Sequence, residues 1–304
     1  MNKAYRIVWN AARQAWIVAS EKAGGGRRPP LAVKKAAAAF LLLGVNGSAL
    51  ATDYSGSTVS SGIQYVRAGD KADNVTVISG GIQKIYDGAS TTDTVVTGAE
   101  QDVLGGTATS TLLNSGSLQY LISGSTIGTI VNQGSTQMIW GGAATSTTVN
   151  DGATQEINSP MASGLHGTAI SATVNSGGTQ KVNSGGTATG TTVNSGGNQY
   201  VSGGSATSTT LNHGGNQYIY SGGSATATTV NSGGNQHVSS GGSAISTTVN
   251  DGGYQSIFSG GSASDTTVNS GGEQYIDDSG SASSTTLNGG LQFIVSGGSA
   301  TSTT

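Results

Sequence analysis

The sequence predicts an all-β fold, a parallel β-helix solenoid of about thirteen turns, and three observations carry that prediction. Glutamine recurs at Gln64, Gln83, Gln101, Gln119, Gln137, Gln155, Gln180, Gln199, Gln217, Gln236, Gln255, Gln274 and Gln292, and eleven of the twelve intervals are 18 or 19 residues. Val, Ile or Leu stands two positions after every one of them, as in Val66, Leu121, Val201 and Ile294. Two further columns keep the period. One lies six residues before most of the glutamines (Val77, Val95, Leu113, Val131, Val149, Val174, Val193, Leu211, Val230, Val249, Val268), and one is small (Ala108, Ala188, Ala206, Ala225, Ala244, Ala263, Ala282). A fixed period of this size marks units that bury their apolar side only against their neighbours.

Residues 1–51 do not repeat and read as a targeting leader. Arg27, Arg28, Lys34 and Lys35 form a basic region, Ala36 to Val45 a short apolar run, and Ala49-Leu50-Ala51 a small-x-small site, so cleavage is expected between Ala51 and Thr52. The apolar run is too short to span a bilayer as a helix. The part before the basic region, from Met1-Asn2-Lys3 through Trp9 to Trp16-Ile17-Val18-Ala19-Ser20-Glu21, resembles the extended signal peptide of large type V secreted proteins. That resemblance implies a Gram-negative bacterium, export through the inner-membrane Sec machinery, and an autotransporter or two-partner exoprotein.

Residues 52–105 hold degenerate first repeats that suit a capping end, and 106–304 hold the regular passenger repeats. A well-formed unit runs from Thr191 to Ser208. Two Gly-Gly pairs, each led by Ser, punctuate it, because Gly takes positive φ freely and Ser and Asn bond to turn backbone. The pieces between are rich in Val, Ile, Thr and Tyr, which is strand composition. Alternation along each strand places Val201 and Gln199 on the inner face and Tyr200 outward. Two large columns and one small one make a narrow three-sided coil, right-handed by the crossover rule. The inward glutamines are expected to form an amide ladder, and Asn150, Asn175, Asn194, Asn212, Asn231, Asn250, Asn269 and Asn288 a second one at a turn. The interval from Gln155 to Gln180 is 25 residues and contains Pro160, so a loop is expected to leave the coil there.

Composition excludes several classes of function. Of 304 residues 51 are Gly, 9% are charged and none is Cys, which removes disulfides, thiolate metal sites and cysteine nucleophiles. Eight of the 12 Lys and Arg lie in residues 1–51, so 52–304 carries 4 basic against 14 acidic residues, a net of −10, and does not suit nucleic acid. His166, His213 and His237 occupy different repeat positions and do not form a metal cluster. No hydrolase, P-loop or dinucleotide motif stands in a credible context, so neither catalysis nor a cofactor is expected.

The units from Asn194 to Thr210 and from Asn231 to Thr248 look like the passenger repeats of AIDA-type self-associating autotransporters. The resemblance implies a surface adhesin acting in autoaggregation, biofilm formation and host-cell adherence. Its partners are itself on neighbouring cells, a host-cell surface and a protein heptosyltransferase. The serines that match the family's strand–loop–strand acceptors are Ser202, Ser205, Ser221, Ser224, Ser239, Ser240, Ser243, Ser259 and Ser262. Turn chemistry alone also accounts for Ser beside Gly-Gly. Outward Thr192, Thr210, Thr229 and Thr248, with Tyr200 and Tyr218, are candidates for a self-association face, although strand propensity places the same residues there. Autotransporters end in a membrane barrel of alternating ~10-residue strands. No such pattern is present, and the chain is read as a fragment or truncated frame. Two other readings stay open: the scaffold of a carbohydrate-active exported enzyme whose site lies elsewhere, and an ice-binding rod built on the threonine columns.

Overall fold

The computed structural model describes residues 5–10, 15–20, 51–159 and 164–304. The chain divides into two units, Met1–Leu50 and Ala51–Thr304. In the first, Tyr5–Asn10 pairs antiparallel with Ala15–Ser20. The basic region and apolar run of the leader lie outside the described residues, as does Pro160. Ala51 and Thr52 are both exposed.

The second unit is a parallel β-solenoid in which every turn repeats three short strands. In one turn these are Thr192–Val193, Asn198–Ser202 and Ser205–Thr207, which define the first, second and third sides. First-side strands form a continuous 13-stranded sheet. The second and third sides join into one sheet because Glu100–Thr109 and Leu118–Ile127 run through the corner between them. Pairing is in register from turn to turn, with Gln180 on Gln199 on Gln217 and Val193 on Leu211 on Val230.

Alternation explains which residues fill the interior. The second side contributes Gln199 and Val201, the third Ala206, and the first Thr209 and Leu211, all buried, and the equivalents recur along the rod. Each fully buried Val, Leu or Ile contributes ~1.5–3 kcal/mol. A single turn cannot offset ~1–2 kcal/mol of backbone entropy per residue, so stability comes from stacking.

Corner geometry explains why the period alternates between 18 and 19. The corner between the second and third sides is Ser202-Gly203-Gly204 in one turn and Tyr220-Ser221-Gly222-Gly223 in the next. In this corner the longer form adds a second residue of positive φ, Ser221 at 50° before Gly222 at 75°. Ser240 and Ser259 repeat that conformation at 48° and 46°. The corner between the third and first sides turns on a single left-handed residue, among them Ser110, Ser146, Ser171, Ser208, Ser246 and Ser284 at φ 54° to 56°. Small side chains suit a conformation that crowds Cβ against the next carbonyl.

The long interval between Gln155 and Gln180 leaves the coil intact: Gln155 pairs with Gln180 and Ile157 with Val182. The extra residues follow Asn158 and rejoin at Gly167, at the corner between the second and third sides. Within this segment Ser159 Oγ donates to the Leu165 carbonyl at 2.7 Å.

One expected core position is wrong by a residue. The sixfold spacing picks Val95 for the inner column, but Val96 is fully buried and pairs with Val77 and Leu113. Here the corner between second and third sides takes the longer form, Tyr86-Asp87-Gly88-Ala89, and the corner between first and second sides is shortened, with Gly98 at φ 57°. The 18-residue interval survives while the first-side strand slips by one. A one-residue slip exchanges the two faces of a strand. Val96→Ala is therefore expected to lower stability by ~2–3 kcal/mol in chemical denaturation of the purified chain, and Val95→Ala by ~0.5 kcal/mol or less. A larger effect at Val95 would contradict the register.

Candidate interaction surface and modification sites

The interior is wired by side-chain hydrogen bonds that set the spacing of everything outside it. Each glutamine Nε2 donates to the Oε1 of the glutamine one turn earlier: Gln199 to Gln180 at 2.7 Å, Gln217 to Gln199 at 2.7 Å, Gln236 to Gln217 at 2.8 Å. The ladder runs from Gln64 to Gln292. The same Oε1 atoms accept from a buried threonine of their own turn, Thr209 to Gln199 at 3.1 Å and Thr228 to Gln217 at 3.2 Å. Sequence reasoning missed this threonine column, and alternation could have found it. If Val193 faces in and Thr192 out, then Thr191 faces in as well. Val75 and Ala172 take its place in two turns. In the Gln83 turn the hydroxyls of Thr91 and Thr94 are buried without a hydrogen-bond partner.

The asparagine ladder also forms. Nδ2 of Asn194 donates to Oδ1 of Asn175 at 3.0 Å, and Asn212, Asn231, Asn250 and Asn269 continue it to Asn288. It edges the first side at the corner before the second, where the backbone N–H of Gly197 donates to the Asn194 carbonyl at 2.9 Å.

Thr192, Thr210, Thr229 and Thr248 stand outward in register on the first side, half-buried by their neighbours. Tyr200 and Tyr218 stand outward on the second side, with ring centroids 5.0 Å apart and planes 13° apart. The structure thus separates the two halves of the expected self-association face by the asparagine corner. The Tyr218 ring stacks in turn on His237 at 5.0 Å. Burial pushes the His237 imidazole below its ordinary pKa, favouring the neutral form, and pushes the Tyr200 hydroxyl up.

Further aromatic residues line the second side. Tyr275 stacks on Phe293 at 4.4 Å, and Tyr254 leans on Tyr275 at 4.9 Å. Tyr120 meets Trp140 at 5.3 Å, and the Arg67 guanidinium lies 5.0 Å from the Tyr65 ring centre and 6.0 Å from that of Tyr86. Tyr86, Trp140, Tyr220 and Phe258 belong to a column three residues after the glutamines, where the strand meets its corner. Lys84 bonds Asp102 at 2.7 Å, the ion pair found among the described residues. That bond raises the Lys84 pKa, while burial and Asp102 raise that of Glu100.

The nine candidate acceptor serines all flank one edge, the corner between the second and third sides. Ser221, Ser240 and Ser259 are exposed at the left-handed corner position, as is Ser262 on the third side. Ser202 and Ser239 end second-side strands or follow them, and Ser205, Ser224 and Ser243 begin third-side strands, all half-buried. Ser259 Oγ donates to Asp278 at 2.8 Å. His166 is exposed beside Ser159, whose Oγ lies 3.2 Å from its Nδ1. His213 is exposed at the first corner. No group of three metal-ligating side chains occurs among the described residues.

Comparison with known proteins bears on this arrangement. Residues 1–50 match the extended signal peptide of the type V secretion system. Residues 197–253 and 249–290 match the adhesin of bacterial autotransporter system, probable stalk. The chain is 36% identical over 92 residues to Autotransporter CRAC of Citrobacter rodentium (strain ICC168), which covers 28% of this chain and 6% of that protein. The chain therefore spans a small part of that relative's length. The solved structure of a TibC-catalysed, hyper-glycosylated TibA fragment superposes with a TM-score of 0.75 at 41% identity, covering 83% of this chain and 93% of the fragment. A leader of this kind places the chain at the Gram-negative cell surface. With the leader, the stalk repeats and the glycosylated rod all matched, the chain belongs to the AIDA-type autotransporter adhesins.

Proposed function

We propose that this passenger acts as an adhesive stalk. It is exported through Sec, holds cells together by homotypic contact in aggregates and biofilms, and attaches to a host-cell surface. We further propose that a cytoplasmic protein heptosyltransferase modifies its corner serines before export. The observation that carries the second reading is the edge of serines between two strands, with Ser221, Ser240 and Ser259 exposed at positive φ. The Ser221 and Ser240 hydroxyls stand clear of the ladder, whereas a glycan on Ser259 would replace the inter-turn bond from its hydroxyl to Asp278. The relative solved with hyper-glycosylation supports the reading, because its rod superposes on this one.

Intact mass of the chain expressed with and without a heptosyltransferase tests it. The expected outcome is added mass in whole heptose increments, mapping to the corner between the second and third sides. An unchanged mass beside an enzyme shown active on its own substrate would return these serines to turn chemistry.

A further inference from the structure

We propose that removal of the leader completes the amino-terminal cap of the rod: the α-ammonium created on Thr52 forms an ion pair with Asp70 and tightens the first rung. The proposal rests on the reading that cleavage falls between Ala51 and Thr52.

Residues 52–57 close the start of the coil. Asp53 bridges Lys71 as a parallel neighbour, so by register Tyr54 stands over Ala72, at the head of the alanine column. Tyr54 is half-buried against the core, and Ala72 is fully buried. Three backbone bonds hold this rung to the next. The Lys71 N–H donates to the Thr52 carbonyl at 2.9 Å, the Tyr54 N–H to the Lys71 carbonyl at 2.7 Å, and the Gly56 N–H to the Asp73 carbonyl at 2.8 Å. The glutamine ladder starts beside it, with Gln64 Nε2 donating to Ser57 Oγ at 3.1 Å. A solenoid needs such an end, because an open rung exposes unpaired backbone.

Asp70 ties this cap to the corner between the second and third sides. Its Oδ2 accepts from the backbone N–H of Arg67 at 2.8 Å, and the Asp70 N–H closes the same turn on the Arg67 carbonyl at 2.9 Å. Its Oδ1 accepts from the backbone N–H of Thr52 at 2.7 Å. Asp70 is half-buried and forms no ion pair with any described residue. A fixed carboxylate is thus aimed at the one nitrogen that cleavage charges.

Hydrolysis of the Ala51–Thr52 bond adds one water, leaving a carboxylate on Ala51 and an amine on Thr52. An α-amine of pKa about 7.7–8.0 is mostly protonated at neutral pH. The neutral donor that Asp70 already holds then becomes an ammonium, and the bond becomes an ion pair. Nearby, Asp53 and Asp70 match Lys71 and Arg67 in number, so the direct contact decides the sign. Position matters as well. Cutting one residue later removes both the carbonyl that Lys71 uses and the donor to Asp70, and cutting earlier leaves that donor a neutral amide.

The test compares the full chain, leader retained, with the chain exported and processed by a cell. The mass of the processed form is expected to place Thr52 first. Hydrogen exchange at the Tyr54 and Gly56 amides is expected to be slower in the processed form, and the difference to shrink at about 1 M salt. Asp70→Asn is expected to speed exchange of these amides about fivefold in the processed form and about twofold or less in the full chain, because asparagine still offers an oxygen to a neutral N–H. Amides of the Gln217 turn, far along the rod, serve as the folding control and are expected to stay unchanged. A first residue other than Thr52 would overturn the cleavage reading and the proposal with it. Thr52 first, with Asp70→Asn acting equally in both forms, would overturn the ion pair alone.

Discussion

Gln217→Leu is expected to destabilise the rod by about 3–5 kcal/mol, more than any substitution of its outward neighbours. Gln217 Nε2 donates to Gln199, and its Oε1 accepts both from Gln236 and from Thr228. Leucine replaces none of these bonds. It leaves the Gln236 amide without its acceptor and the Thr228 hydroxyl without its partner in a fully buried interior. Each orphaned buried group costs ~1–3 kcal/mol, and two are left. The extra apolar burial of leucine offsets only part of that. Thr228→Val supplies the internal comparison. It removes one donor to Gln217 but leaves the amide ladder continuous, so a loss of about 1 kcal/mol is expected. Urea denaturation of both variants measures the ranking. Equal losses would mean that the ladder contributes nothing beyond ordinary burial.

Gly223→Ala is expected to be as damaging, for a steric reason. A Cβ at Gly223 would lie 2.7 Å from the carbonyl carbon of Val201 in the previous turn, with the carbonyl oxygen closer still, and 3.0 Å from the Tyr220 oxygen. These are backbone atoms held in the inter-turn ladder and cannot rotate away. Relief requires the turns to separate, at ~3 kcal/mol or more. The preceding glycine answers to a different constraint. Gly222 sits at φ +75° with nothing within 4 Å of a built Cβ, so Gly222→Ala meets only the left-handed penalty of ~1–2 kcal/mol. A thermal melt of the pair should show Gly223→Ala far below Gly222→Ala. The reverse order would refute the close approach as the reason for the second glycine of each pair.

Much of this fold was legible because its interactions recur at one spacing. The inward column of Val201 and Ile219, the alanine column and both amide ladders follow from period and alternation, and the structure places them as expected. The candidate surface was less legible. Thr192 and Tyr200 were both identified correctly as outward, yet they lie on different sides, because the asparagine corner between them changes direction. Tyr86, Tyr220 and Phe258 were passed over because they stand beside corners, where alternation along a strand no longer assigns a face.

The sequence by itself determined that this chain is exported and that it coils with a buried glutamine column. Leader order and repeat spacing are properties of the residues alone. The tertiary structure decided where the nineteenth residue of a turn is held, that Val96 and not Val95 faces inward, and which side each outward residue occupies. Those outcomes depend on the left-handed residues that set each corner and on stacking against the next turn. Corners of different length give the same repeat interval, so spacing leaves them undetermined until the turns pair.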